Sequence, residues 1–159
     1  MKSNNTSIKE DIMQNASNTL LCTSIDIPST AEYVAVIRLT VAGIASKLNF
    51  DIESIEDIKI AVSEACNNVI QHAYTQKNIN TSRIKLEIET ENNEFRIQIK
   101  DKGIGFNPNK IKSSNAENDE KLGLGLGIAF MKSLMDEASI ESSPGNGTTI
   151  TLLKKVPQQ

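Results

Sequence analysis

Residues 54–74 read SIEDIKIAVSEACNNVIQHAY. Ile55, Ile58, Val62, Ala65 and Val69 recur three and four apart, the period of a helix with one apolar stripe. Asp51 and Ser54 both stand where an N-cap would, and the polar run 75–82 ends the segment near Tyr74. Glu64, Asn68 and His72 are four apart and share a face. At about 100° per residue that face lies on the shoulder of the apolar stripe. The helix must bury its stripe on another layer, and a carboxylate and an amide then stand at the border of that layer.

The layer is legible on both sides. Upstream, Cys22–Ile27 alternates as a short strand with Ile25 and Ile27 on one face. Ser29 and Glu32 have capping-box spacing, so a helix is expected from there to about Asn49, with Val34, Ile37, Val41, Ile44 and Leu48 on its stripe. Downstream, Ile84, Leu86 and Ile88 alternate, as do Phe95, Ile97 and Ile99, and Glu91-Asn92-Asn93-Glu94 between them reads as a hairpin turn. Lys102–Lys121 is a long polar loop, which is functional or disordered at such a length. A third helix is expected over Leu124–Met135. Strands over 137–143 and 148–154 follow, turned by Pro144-Gly145-Asn146-Gly147. This order predicts a two-layer α/β sandwich, a mostly antiparallel mixed sheet covered on one face by helices. The domain is expected over residues 22–155, after a flexible polar extension over 1–21.

Composition narrows the function. The 159 residues suit one domain with a real core. Apolar residues at 38% and charged residues at 23% describe a soluble globular chain. A net charge of −3 argues against sequence-independent nucleic-acid binding, which needs clustered Lys and Arg. Two cysteines are too few for a disulfide framework, and a single His leaves no His-rich metal site. With no secretory signal and no apolar run of spanning length, a cytoplasmic protein without a membrane partner is expected.

Four features carry chemistry. Glu64 and Asn68 on the second helix could supply a proton acceptor and an oxygen ligand for Mg²⁺, which keeps several waters; a solvated polar face is the plain alternative. Asp101-Lys102-Gly103-Ile104-Gly105 ends a strand. An ionised Asp only accepts hydrogen bonds, so it suits the amine of adenine and repels the carbonyl of guanine. Gly103 and Gly105 lack Cβ atoms where a flat base would approach; an ordinary Asp-Gly turn is the alternative. Gly123-Leu124-Gly125-Leu126-Gly127 opens the third helix, where free N–H groups and the helix dipole favour phosphate. A flexible hinge reads as well, and a dinucleotide fingerprint does not, because no buried strand precedes it. The hydroxyl of Thr148, after Gly147, could reach a base directly or through water, or simply belong to a strand.

In this order the motifs resemble the histidine-kinase/gyrase/Hsp90-type ATP-binding superfamily, with its Bergerat-type ATP-binding fold, over about residues 22–155. Glu32-Tyr33-Val34, Ile37-Arg38-Leu39-Thr40, Ile60–Cys66, Gln71-His72-Ala73-Tyr74 and Leu134-Met135-Asp136-Glu137 are similar to the bacterial anti-sigma-factor serine kinases, the RsbW-like group. The resemblance implies Glu64 as general base and Asn68 as Mg²⁺ ligand. It implies Asp101 as reader of adenine with Gly103 and Gly105 beside it, Gly125 and Gly127 as lid glycines, Thr148 near the base, and Arg38 as a partner contact. It further implies ATP and Mg²⁺ as cofactors, an alternative sigma factor that is bound and inhibited, and an anti-anti-sigma factor phosphorylated on serine. A homodimer is implied too. A nucleotide-gated sigma-factor-binding module without kinase activity is the alternative. A sensor-kinase catalytic domain is disfavoured, because the lone His72 lies inside the nucleotide motif.

Overall fold

The computed structural model describes residues 21–74, 81–108 and 119–158. The extension expected over 1–21 lies outside the described residues except for Leu21, which opens β1 (Leu21–Pro28). Helices α1 (Ala31–Lys47) and α2 (Ile52–Asn68) follow, and α2 runs on into a π-helical turn over Val69–Ala73. Then come β2 (Arg83–Glu91), β3 (Glu94–Lys100), α3 (Asp119–Leu134), β4 (Glu137–Ser142) and β5 (Thr148–Lys155). The strands lie in the order β1-β2-β3-β5-β4. The expected two-layer sandwich is present, and each described pairing is antiparallel.

The hairpin register builds the core. Asn92 and Asn93 take φ of 52° and 60°, the two left-handed residues that a tight strand turn of matching twist requires and that Asn tolerates. Leu86 then faces Ile99 and Ile88 faces Ile97, while β5 sets Ile150 against Ile99 and Leu152 against Ile97. These side chains are fully or almost fully buried. Their strand neighbours Lys85, Glu87 and Lys100 take the other face, where Glu87 pairs with both lysines. One face is thus apolar, and the helices cover it. Val34, Ile37, Val41 and Ala45 of α1 are buried there, with Ile44 and Leu48 packed at the margin. From α2 come Ile58, Ala61, Val62, Ala65 and Cys66, then Val69 of the π turn. Burial pushes the Cys66 thiol up to about 12, so it is an inert core group.

Phe95 is fully buried, with its ring 5.7 Å from that of Phe50. Phe95→Ala is expected to cost about 3–5 kcal/mol, a large share of the ~5–15 kcal/mol that holds a domain together. The urea midpoint should drop accordingly; an unchanged midpoint would contradict this core assignment.

Two helix starts differ from expectation. The capping box does not form: Thr30 is the N-cap of α1, without a side-chain cap, and the Ser29 hydroxyl is buried without a partner among the described residues. The reason is that Ser29, just past the end of β1, is held by its backbone, its N–H donating to the Ser82 carbonyl at 3.1 Å. Glu32 instead interacts with the Thr30 side chain, which holds its carboxyl below the usual range. For α2, Asp51 is the cap, accepting from the Ser54 N–H at 2.7 Å. The other difference is that α3 begins at Asp119 rather than near Leu124. Helical backbone therefore runs upstream of the glycines, which cost the helix about 1 kcal/mol each without ending it.

Candidate functional site

Asn68 closes α2 and is buried, and its side-chain nitrogen has no hydrogen-bond partner among the described residues. An unpaired buried amide costs about 1–3 kcal/mol and marks a place where something is missing or strain is tolerated. Glu64, one turn earlier, is half-buried. Gly127 of α3 lies against both: a Cβ there would sit 2.6 Å from Glu64 Oε1 and 3.4 Å from Asn68 Nδ2. No larger residue fits between the two helices without moving the carboxylate. A half-turn of the Asn68 amide presents its oxygen in place of its nitrogen. Among the described residues no group of three or more His, Cys, Asp or Glu could cage a metal. One orphaned amide suits an ion that takes a single protein oxygen and fills its shell with phosphate and water, which is how Mg²⁺ is commonly held.

The loop after β3 is tied to the end of the same helix. The last carbonyls of a helix lack partners inside it. That of Ala73, in the π turn, accepts from Ile104 N–H at 2.8 Å. Such turns recur at functional sites. The Tyr74 hydroxyl accepts from the N–H groups of Lys102 (3.1 Å) and Arg83 (3.2 Å) and donates to the Arg83 carbonyl (2.8 Å). One side chain therefore joins the helix end, the start of β2 and the loop that follows Asp101.

Asp101 lies one residue past Lys100, which pairs with Thr149, so it comes opposite Thr148. Its N–H donates to the Thr148 carbonyl at 3.0 Å. It shares the helix-facing side with Ile99 and is buried, and Oδ1 accepts from Gly103 N–H at 2.7 Å. Burial pushes its carboxyl up from the ordinary aspartate value, opposed by hydrogen bonds from the backbones of Gly103 and Thr148. The glycines have a different cause from the one expected. A Cβ on Gly103 would lie 2.0 Å from the Ala73 carbonyl oxygen, and one on Gly105 would lie 2.1 Å from that of Ser143. The room they spare is taken by the chain itself, and it lets the loop press onto α2 and the β4–β5 turn. Gly147, at φ +73°, does the same for the Asp101 carbonyl, 2.1 Å from where its Cβ would be.

Thr148 opens β5, and its hydroxyl meets that of Ser142 at 3.0 Å. Ser142 and the Tyr74 hydroxyl were not among the anticipated site residues. Tyr74 closes the motif of the helix, but nothing in its spacing foretold three backbone contacts. Ser142 became a neighbour of Thr148 only through the β4–β5 register.

The structure therefore brings Glu64, Asn68 and Gly127 into one group, and Asp101, Gly103, Gly105 and Thr148 into another. Ala73 and Tyr74 link the two. Arg38 is exposed on α1. Gly123, Gly125 and Gly127 lie within α3 rather than at its open start. Their N–H groups are drawn into the helical ladder, not presented to a ligand. Glycine inside a helix costs about 1 kcal/mol each relative to alanine, so this part of α3 is weakly held. Residues 109–118, within the loop expected over 102–121, lie outside the described residues. An open depression of 720 Å³ runs from Lys85 and Lys100 on the polar face of the sheet to Ala73, Tyr74, Asp101 and Gly103 at its end. It includes neither Glu64 nor Asn68, so its size does not make it the place where those groups would act.

Fold and site together define the class: an α/β sandwich of the ATP-binding Bergerat type, with its helix-borne carboxylate and amide and its Asp-Gly loop at one end of the sheet. The chain belongs to the histidine kinase-like ATPase domain family, which matches residues 27–154. It is similar to the serine-protein kinase RsbW of Bacillus thuringiensis (strain Al Hakam) and that of Bacillus cereus (strain B4264). Each is 60% identical over 50 residues, which is 31% of this chain and 31% of the relative. The matched stretch thus spans about a third of those relatives. In solved structures the chain resembles the RsbU and RsbW domains of a Mycobacterium tuberculosis protein, with a TM-score of 0.64 and 21% identity over 86% of this chain and 32% of that one. That likeness speaks for the fold. No helix among the described residues is long and apolar enough to cross a membrane.

Proposed function

We propose that the chain is an anti-sigma factor and an ATP-dependent serine/threonine protein kinase. It would bind and inhibit an alternative sigma factor, and use ATP to phosphorylate a serine of its anti-anti-sigma antagonist. The observation that carries the reading is the buried amide of Asn68, whose nitrogen finds no partner among the described residues, one turn from Glu64, in a chain similar to serine-protein kinases.

Each residue then has a task. Asp101 accepts a hydrogen from the 6-amino group of adenine, with Gly103, Gly105 and Thr148 around the base. Asn68 turns its amide oxygen toward Mg²⁺, which when bound neutralises phosphate charge. Gly125 and Gly127 offer backbone N–H groups to the phosphates once the start of α3 gives up its helical bonds. Glu64 takes the proton of the attacking serine hydroxyl as its oxygen bonds to the γ-phosphorus and the bond to ADP breaks. Positioning and charge supply most of the rate in such transfers. Arg38 is exposed on α1, and Tyr33, Val36 and Leu39 of the same helix are exposed on another side of it, so α1 offers surface to a protein partner. The reading places the working domain at residues 22–155, in a cytoplasmic homodimer that serves transcription control in a stress response.

The test is transfer of label from γ-labelled ATP to the antagonist. Label appearing on a serine supports the kinase. An unlabelled antagonist, with tight sigma binding retained, would replace it with the nucleotide-gated binding module.

A further inference from the structure

We infer that Ser142 fixes the hydrogen-bonding polarity of Thr148 and thereby sets the preference of the site for adenine over guanine. The inference rests on the nucleotide reading above.

It follows from counting protons. Among the described residues the Ser142 hydroxyl has three hydrogen-bonding neighbours: the Phe106 N–H at 2.9 Å, the Gly147 carbonyl at 2.9 Å and the Thr148 hydroxyl at 3.0 Å. A serine hydroxyl donates one hydrogen bond and accepts two. The Gly147 carbonyl can only accept, so it takes the single Ser142 proton. The Phe106 N–H can only donate. All three contacts are satisfied in one arrangement alone, in which Thr148 donates its proton to Ser142. Thr148 then has lone pairs and no proton for anything else.

Ser142 pairs with Thr148, and Asp101 comes opposite Thr148 on the far side. The three residues form a row across β4, β5 and the end of β3, on the helix-facing side. In that row an ionised Asp101 accepts only, and Thr148 is made to accept only. The pair therefore asks for hydrogen on whatever it meets. Adenine brings an amine with two N–H groups; guanine brings a carbonyl at the same position. A bridging water does not escape the rule. If it donates to both Asp101 and Thr148 it has no proton left for a guanine carbonyl, and it can only accept from the base. Without Ser142, Thr148 is free to turn its proton outward and satisfy the carbonyl directly or through that water. Ser142 is thus a positioning residue that acts through Thr148.

Calorimetric titration with MgATP and MgGTP reads the effect as the ratio of the two affinities. Wild-type protein is expected to favour ATP. Ser142→Ala should lower the ratio by about three- to tenfold, the size of one neutral hydrogen bond, chiefly by tighter GTP binding. Simple damage to the site would weaken both nucleotides together. Ser142→Thr, which keeps the hydroxyl, should restore the ratio. Thr148→Val tests the same contact from the other side and should lower the ratio too, and adding Ser142→Ala to it should change nothing more. A ratio unmoved by Ser142→Ala, or moved further by it in the Thr148→Val background, would overturn the inference alone. Wild-type protein that binds neither nucleotide would overturn the nucleotide reading and this inference with it.

Discussion

Asp101→Asn protein is expected to remain folded and to lose ATP affinity by roughly ten- to a hundredfold, the worth of a hydrogen bond to a charged group. The substitution keeps the shape but turns one acceptor into a donor, which meets the adenine amine with like polarity. The fold should tolerate it. Asp101 is buried, and desolvation outweighs the Gly103 and Thr148 hydrogen bonds in setting its carboxyl. Removing the charge removes that penalty and gives up part of one backbone contact, so the melting temperature should change little. Isothermal titration beside a thermal melt separates the two effects. A variant that binds ATP like the wild type would end the assignment of Asp101.

The same group sets a pH dependence of unusual sign. Its folded pKa is raised above the unfolded aspartate value. The native state therefore binds the proton more readily than the unfolded chain, and the cost of the buried charge is fully present above the folded pKa. As pH falls through the folded pKa toward the unfolded one, this residue's cost to stability is relieved, the reverse of a salt-bridged carboxylate. ATP binding runs the other way, because the protonated acid can no longer accept twice. Relative to Asp101→Asn, wild-type affinity should fall on acidification at a pH higher than an ordinary aspartate would require.

Glu64→Ala is the second large effect. Phosphoryl transfer to the antagonist should fall by about 10²–10⁴-fold, the usual contribution of a positioned general base. ATP affinity should stay within a few-fold of wild type. The carboxylate lies one helical turn from Asn68, so its removal leaves that amide in place, and Gly127 loses a close neighbour rather than gaining one. Single-turnover transfer measured next to equilibrium binding distinguishes the two. Transfer at the wild-type rate would leave the protein a binder of its partners, with Glu64 a bystander.

Periodicity alone determined the layers. Stripes three and four apart must bury one helix face, and alternation must bury one strand face, so two helices and two hairpins already imply a sandwich with one covered side. The same periods put Glu64 and Asn68 on one face and Asp101 at a strand end, because side-chain direction within one element is a local matter. What belongs to several elements at once was settled only in three dimensions. Ser29 lost its capping role to a backbone bond with Ser82, and α3 reached back to Asp119 over its glycines. Gly103 and Gly105 make room for Ala73 and Ser143, not for empty space, and Ser142 met Thr148 only once β4 and β5 had paired. The contacts of Ser29 with Ser82, of Gly103 with Ala73 and of Gly105 with Ser143 depend on a backbone distance between segments far apart in the chain. Such a distance leaves no period in the sequence, and it exists only after the core has drawn those segments together.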